Sequence, residues 1–462
     1  MPAIITNKFR VHSAEQFNES FGEAGDTYYL GIGRPQTFVD NQAFNDGTDA
    51  APPTPNDDIG SELYAYDDLL SAKKITSSDV SIVIPRRNWT SGTVYDYYRH
   101  DYGNIDSTGS TISADSGATN LFDATFYVMN STFDVYKCID NNGGATSTTE
   151  PTGNKSTSTF TTADSYVWKY MYSLTAAEQA SFLSTDFMHV STESTDYSTT
   201  AGAIENVKIT DGGSSGSDNT YTAVAIRGDG SGGQCTVVVS SGAVTSVSIT
   251  NAGSGYTFAS ILASDFGNVS GSDIDFIISP EGGHATDVVK ELGGFFVMLN
   301  VDLTQSESGE FTTGNDFRRI VLVRNPVDSG TGSTATADTL DATKSMTFSS
   351  VLAFQADEKI TGSSTGAVGY VVDAISTSTT TTVRYIQPQF ANQGVDANGN
   401  LTEFTVSDTV TGATSGVSGS PASVDTTPEL THDSGDILYI ENRKPISRAA
   451  DQTENIKLIV EF

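Results

Sequence analysis

The chain has 462 residues, with 24 Lys+Arg set against 57 Asp+Glu for a formal charge of −33 at pH 7. Such a surplus of acid repels a phosphate backbone and an anionic leaflet, so neither nucleic acid nor membrane is expected as a partner. Charged residues make up 18%, below the roughly 25% of an average domain, so the acidity reflects scarce Lys and Arg, while 37% hydrophobic residues suffice for packed cores and argue against global disorder.

At roughly 150 residues per domain the length suggests about three domains. Two cysteines, Cys138 and Cys235, exclude a disulfide-rich scaffold and a cysteine-only zinc site. Residues 1–30 show no basic stretch leading into an apolar one, so no signal peptide is expected. No apolar run approaches the ~20 residues that span a bilayer. The expectation is a soluble protein made in a reducing cytosol.

In chain order, Ser13 with Gln16 three residues on makes a capping box ahead of Phe17 and Phe21, which predicts a short helix closed by Gly22. A second helix is expected over 61–74. Leu63, Tyr66 and Leu70 share a face there, Asp57 and Asp58 precede it, and Lys73 and Lys74 suit its C-terminal end. Thr175 with Glu178 opens a third helix ending near Leu183, and a short one over 286–291 stops at Gly293-Gly294. Almost everything else reads as strand and turn. Short β-rich runs cover 80–84, 126–130, 166–172, 295–301 and 320–323. At the end, Ile456, Leu458, Val460 and Phe462 alternate with Asn455, Lys457, Ile459 and Glu461. That period of two predicts a strand with one buried face, paired with a neighbour for which 437–440 is the candidate.

Two stretches, 199–270 and 330–428, are dominated by Gly, Ser, Thr and Asp and contain internal repeats. Val207-Lys208-Ile209-Thr210 with Gly213 returns as Val247-Ser248-Ile249-Thr250 with Gly253. Phe354, Ile360, Thr361, Gly362, Gly366 and Gly369 return as Phe404, Val410, Thr411, Gly412, Gly416 and Gly419. Each repeat is a strand-turn-strand unit that needs a partner to bury its apolar face, and two copies supply it to each other. The expected fold is mainly β: layered antiparallel sheets with a few short helices and small inserted β-modules. Its segments are a core over 1–198, a module over 199–270, core strands over 271–329, a second module over 330–429 and C-terminal core strands over 430–462.

No local pattern carries chemistry. Gly228-x-Gly230-x-x-Gly233 matches a dinucleotide fingerprint by letters, but a strand-like run, Gln234-Cys235-Thr236-Val237, follows where a helix is required. Gly212 to Gly216 has nucleophile-elbow spacing around Ser214 without a following helix. The five histidines, His12, His100, His189, His284 and His432, are dispersed and make no metal motif. Asp396-Ala397-Asn398-Gly399-Asn400 resembles the start of a calcium loop, but Leu401 and Ser407 stand where that loop needs Gly and Glu. No cofactor and no metal are expected. The most distinctive run is Ile84-Pro85-Arg86-Arg87-Asn88-Trp89, followed by Tyr95, Tyr97, Tyr98 and Arg99. Arg, Tyr and Trp anchor interfaces out of proportion to their numbers. The run is therefore either an interface patch or an arginine pair satisfied by carboxylates of its own subunit.

Six separated blocks resemble one family, the gene 8 product family of baseplate wedge subunits from T-even-like contractile-tailed bacteriophages. They are Ile4-Ile5-Thr6-Asn7-Lys8-Phe9-Arg10; Ile84 to Trp89; Val135-Tyr136-Lys137-Cys138-Ile139-Asp140; Ser165-Tyr166-Val167-Trp168-Lys169-Tyr170; Asp316-Phe317-Arg318-Arg319-Ile320 with Arg324-Asn325-Pro326; and Gly435 to Arg443 continuing through Pro445 to Ile456. The resemblance covers roughly 1–198, 271–329 and 430–462, and the two repeat stretches fall outside it. It implies a structural virion protein without catalytic activity, assembled in the host cytoplasm and located in the tail baseplate. It further implies a homodimer that braces other baseplate wedge proteins and tail-fibre-connecting proteins. The candidate interface residues are Arg86, Arg87, Trp89, Tyr97, Tyr98, Glu441, Asn442 and Arg443. Two rivals remain open. One is a receptor- or glycan-binding tail protein, which would need exposed aromatic platforms from Tyr221, Tyr256, Tyr370 or Tyr385. The other is a tail-borne glycan hydrolase, which needs two acids about 5–9.5 Å apart in a groove.

Overall fold

The computed structural model describes residues 4–38, 47–106, 109–153, 155–191, 197–388 and 394–462. The fold is mainly β, built, among the described residues, from antiparallel sheets and four short α-helices. The chain divides into two units, one of Met1–Phe17, Ser81–Met298 and Ile459–Phe462, the other of Asn18–Val80 and Leu299–Leu458.

Helix α1 covers Asn7–Ser20 and starts earlier than its capping box suggests. Thr6 opens it by accepting from the Phe9 amide, and Ser13 lies inside, its hydroxyl donating back to the Phe9 carbonyl at 3.0 Å. Helix α2, Ile59–Asp67, is capped by Asp58, which accepts from the Ser61 amide at 2.8 Å. It does not reach Lys74: Leu69–Ile75 is a strand paired with Tyr28–Gly33. The turn at Asp68 is held by the Arg34 amide, which donates to its carbonyl, so sheet pairing overrides the helical spacing of Leu70. Helix α3, Ala176–Phe182, has the reciprocal Thr175/Glu178 box as read from the sequence. Helix α4, Val288–Leu292, ends at Gly293 with φ 79°, a left-handed cap that favours glycine.

In the first unit a four-stranded sheet runs in the order Tyr127–Met129, Asp134–Asp140, Val167–Ser173, Phe160–Thr161. Tyr127, Tyr136 and Trp168 are fully buried on it. Its larger core joins Val11, Ile82, Tyr98, Phe126, Met171 and Leu292. The first repeat forms a separate core in the same unit, from Ile204 through Val237 and Tyr256 to Ile278.

The two copies of that repeat exchange strands. Ile204–Asp211 of the first copy pairs with Asp273–Ile278 of the second, and Gln234–Ser240 of the first pairs with Ala243–Asn251 of the second. The registers are equivalent position by position. Val237↔Val247 matches Phe276↔Val207, and Cys235↔Ile249 matches Ile274↔Ile209. The register shifts at Gln234/Cys235 and Val238/Val239 recur at Asp273/Ile274 and Ile277/Ile278. Gly213 (φ 69°) and Gly253 (φ 62°) occupy the same left-handed turn, each amide donating to an Asx side chain two residues back, Asp211 or Asn251. The repeat therefore runs on through Ile278 instead of stopping at Ser270.

In the second unit a five-stranded sheet has the order Thr339–Asp341, Leu69–Ile75, Tyr28–Gly33, Asp316–Arg324, Asp436–Ser447. Tyr29, Leu69, Val321, Val323 and Leu340 form its buried face. The second repeat makes most of a seven-stranded sheet around a core of Phe348, Phe354, Ile360, Val371, Tyr385, Phe404 and Val410. Its two copies meet where Lys359–Gly362 pairs with Val410–Gly412, centred on Thr361↔Thr411. Each copy also closes the other's turn with a buried carboxylate. Asp408 accepts from the amides of Ser364 and Thr365, both at 2.8 Å, and from the Thr365 hydroxyl. Glu358, fifty residues earlier, accepts from the amides of Thr414 and Ser415 and from the Ser415 hydroxyl.

The C-terminal strand, Thr453–Glu461, lies beside Phe296–Thr304. The expected partner is corrected: Ile437 and Ile440 pair instead with Val323 and Val321. On the face read as buried, Leu458 is buried whereas Ile456, Val460 and Phe462 are half-buried. Glu454 is buried against Arg448 at 2.9 Å.

Candidate interface

The proposed interface residues lie in both units. In the first, the strand Val80–Pro85 delivers Arg86 and Arg87 to its end. Arg87 donates to the carbonyls of Ala124 and Phe122 and sits 4.6 Å above the Tyr127 ring. Arg86 donates to the Ser184 carbonyl at 2.7 Å and to Asn88 Oδ1 at 3.0 Å. The acceptors are thus mainly main-chain carbonyls of the same subunit, not the carboxylates considered from sequence. Trp89 donates its indole N–H to Ser147 Oγ at 3.0 Å. Arg86, Arg87, Trp89 and Tyr97 keep half-buried surfaces. Tyr98 does not, being 5% exposed within the core, so it is corrected from interface to core residue.

In the second unit Glu441, Asn442 and Arg443 lie on Asp436–Ser447, the edge strand of the five-stranded sheet. Arg443 pairs with Glu441 at 3.0 Å. Asn442 accepts from Arg319 and donates to the Pro53 carbonyl, both at 3.0 Å. The register jumps from Phe317↔Ile446 to Arg319↔Asn442, so Arg443, Lys444 and Pro445 stand opposite Arg318 alone, two residues more than a regular ladder holds. A second jump between Leu322↔Tyr439 and Val323↔Ile437 displaces Leu438. Bulges, a lysine and a proline are the usual guards against edge-to-edge pairing. Whatever meets this strand is therefore met by side chains.

The scarce arginines elsewhere are internal cross-links. Arg318 pairs with Asp49 at 2.9 Å, Arg319 with Asp68 at 2.7 Å, Arg324 with Asp26 at 2.9 Å, and Arg99 with Asp101 and Asp275 at 2.6 and 2.7 Å. Using basic charge internally leaves the surface to carboxylates.

Sequence reasoning missed a buried ionic cluster in the first unit. Lys137 and Lys169 are both fully buried. Lys137 is bound to Glu291 and lies 4.5 Å from the centre of the Tyr98 ring, against which His284 packs edge-on. Lys169 donates to the Ser156 carbonyl at 2.8 Å, and burial pulls its pKa down to about 8. Burial likewise lowers the pKa of Lys137, opposed by Glu291. The available signal was a lysine inside each of two strands that are otherwise apolar on both faces, a pattern of buried sheet.

The glycine patterns have packing explanations. A Cβ on Gly230 would lie 2.4 Å from the Tyr256 ring and one on Gly233 2.8 Å from its hydroxyl oxygen. These glycines make room for a buried tyrosine. Ser214 lies in a turn bridged to Ser270. Asp396 Oδ1 accepts from the amides of Asn398 and Asn400, turning its oxygen to its own loop. Among the described residues no group of three His, Cys, Asp or Glu is placed to hold a metal ion. No helix among them is long and apolar enough to cross a membrane. Of the aromatics considered as glycan platforms, Tyr256 and Tyr385 are buried, and Tyr221 and Tyr370 are half-buried.

Residues 3–149 match the family model described as Bacteriophage T4, Gp8. The baseplate wedge protein gp8 of Enterobacteria phage T4 is 27% identical over 188 residues, covering 37% of this chain and 55% of that protein. The chain thus spans about half the length of the curated relative it matches. These likenesses agree with the resemblance read from the sequence: over part of its length, residues 3–149 in the family model, the chain is similar to gene 8 baseplate wedge proteins.

Proposed function

We propose that this chain is a homodimeric brace within a baseplate wedge, holding other wedge proteins and tail-fibre-connecting proteins through large side-chain interfaces and catalysing nothing. The observation that carries the reading is the gene 8 family match over residues 3–149. Its mechanism is stiffness: buried charge pairs and paired strands fix each unit's shape, so load passes through it and a change of baseplate state moves it as a body. The half-buried Arg86, Arg87, Trp89 and Tyr97, and the guarded edge at Glu441, Asn442 and Arg443, are the contact surfaces. The repeat modules are inserts in the wedge core, each with its own hydrophobic centre. An obligate dimer buries above ~2,000 Å². Light scattering at micromolar concentration should give about twice the 48.8 kDa chain mass. A monomer that also fails to join a complex with purified wedge partners would overturn the proposal.

A further inference from the structure

Two exposed surfaces, one in each unit, are complementary in both hydrophobicity and charge. The first is the segment Ile4 to Arg10, which opens α1 in the first unit. Ile4 is 87% exposed, Ile5 68% and Phe9 60%. Large apolar side chains gathered and exposed in this way mark a binding surface. Thr6 opens the helix by accepting from the Phe9 amide, so Ile5 stands where a hydrophobic residue ordinarily packs on the one five places further on. That residue is Arg10, whose guanidinium lies 3.6 Å from the centre of the Phe295 ring and donates to the Phe462 carbonyl. Ile5 is left without its usual cover. The first turn of α1 holds no acidic residue and carries Lys8 at the positive end of the helix dipole. Lys8 pairs with Glu281 at 3.2 Å, but both side chains are exposed and such a pair contributes little.

The second surface is a groove of about 220 Å³ in the second unit, between the start of α2 and the edge strand Asp436–Ser447. Ile437, Leu438 and Ile440 give it apolar walls, and Leu438, displaced at the register jump, is exposed. Asp57, Asp58 and Glu62 border it, and no Lys, Arg or His is among the described residues that line it. Asp58 caps α2, whereas Asp57 and Glu62 are exposed. On a chain of formal charge −33 most surfaces repel a second copy. Self-contact is favoured where a basic, apolar element of one copy meets an acidic, apolar element of the other, and these two surfaces are such a pair.

We propose that the segment Ile4 to Arg10 of one copy lies in this groove of a second copy. Ile5 and Phe9 would rest on Leu438 and Ile440, and Lys8 would meet Asp57 and Glu62, the contact being made twice about a twofold axis. The proposal deepens the homodimer reading above and rests on it. The test is sedimentation velocity of the full chain from nanomolar to micromolar concentration. The wild-type chain should be a dimer at micromolar concentration. Ile5→Asp, Phe9→Ser and Leu438→Asp should each weaken the dimer roughly tenfold or more, with unfolding midpoints unchanged because all three side chains are exposed. Lys8→Glu and Glu62→Lys should each weaken it about fivefold, and the two together in one chain should restore it. A monomeric wild type would overturn the homodimer reading and this contact together. A wild-type dimer indifferent to Ile5→Asp or to Leu438→Asp, or failure of the paired charge exchange to restore it, would overturn this contact alone and leave the homodimer standing.

Discussion

The reciprocal carboxylates of the second repeat invite removal of one of them. Asp408 is fully buried and accepts from the amides of Ser364, Thr365 and Thr405. Asp408→Ala leaves those three amides without a partner. Each unmatched buried donor costs ~1–3 kcal/mol. Ser363 and Ser364 are exposed, so water replaces part of the loss, and a net cost of ~2–4 kcal/mol follows. Both tryptophans, Trp89 and Trp168, belong to the first unit, so intrinsic tryptophan fluorescence is blind to this event. Hydrogen exchange by mass spectrometry on peptides covering 359–369 and 403–420 is the suitable assay. The expected signature is faster exchange at Ser364 and Thr365, which lie 44 and 43 residues from the mutation in sequence, with the mirror effect at Thr414 and Ser415 in Glu358→Ala. The pH dependence has a definite sign. Burial pushes the Asp408 pKa up, but the amides of Thr365, Thr405 and Ser364 outweigh it and hold the group below its ordinary value. A depressed native pKa gives stability that is full above the unfolded value of ~3.9 and lost as pH falls through the native one. The gap between wild type and Asp408→Asn should therefore be widest at neutral pH and close in acid. Exchange in Asp408→Ala unchanged to within about 0.5 kcal/mol would refute the reasoning.

Two further outcomes follow. Arg87→Ala removes the donor from the carbonyls of Ala124 and Phe122 and the cation above Tyr127, and should cost ~1.5–3 kcal/mol in thermal or urea unfolding; an unchanged midpoint would return Arg87 to a purely interfacial role. Replacing 330–428 by a Gly/Ser linker should leave a cooperatively folding first unit by tryptophan fluorescence, whereas replacing 199–270 strips Asp273–Ile278 of its partner strand and exposes Phe276 and Ile278, so the latter variant should melt lower or aggregate.

Much of this architecture was legible because it is written locally. The Thr175/Glu178 box and the glycine stop after α4 act within a few residues, and both behaved as read. The repeats were legible because duplication preserves spacing. What escaped depends on distant partners. Leu69–Ile75 has helical spacing, yet a neighbouring strand claims it. Tyr98 sits in an Arg- and Tyr-rich run that suits an interface, yet Lys137 and His284 enclose it. The Lys137–Glu291 pair joins residues 154 apart in sequence, and no local pattern forecasts it. The carboxylates Glu358 and Asp408 occupy equivalent positions in the second repeat, but their significance lies in turns of the opposite copy.

The exchanged pairing of the first repeat sets an order of events during synthesis. Ile204–Asp211 leaves the ribosome early, but its pairing strand Asp273–Ile278 is made only after the hairpin of Gln234–Ser240 and Ala243–Asn251. At about 5–20 residues per second the early strand waits roughly 3–12 s. The hairpin closes first, and the outer pair seals it afterwards. During that interval Ile204, Val207 and Ile209 are interleaved with and followed by polar residues, of which Asn206 and Lys208 also tie the folded chain, donating to the Ile139 carbonyl and pairing with Asp140, while Thr210 is exposed. Substituting the exposed Thr210 with Val or Ile should therefore reduce the yield of soluble chain more than it reduces the stability of chain already folded.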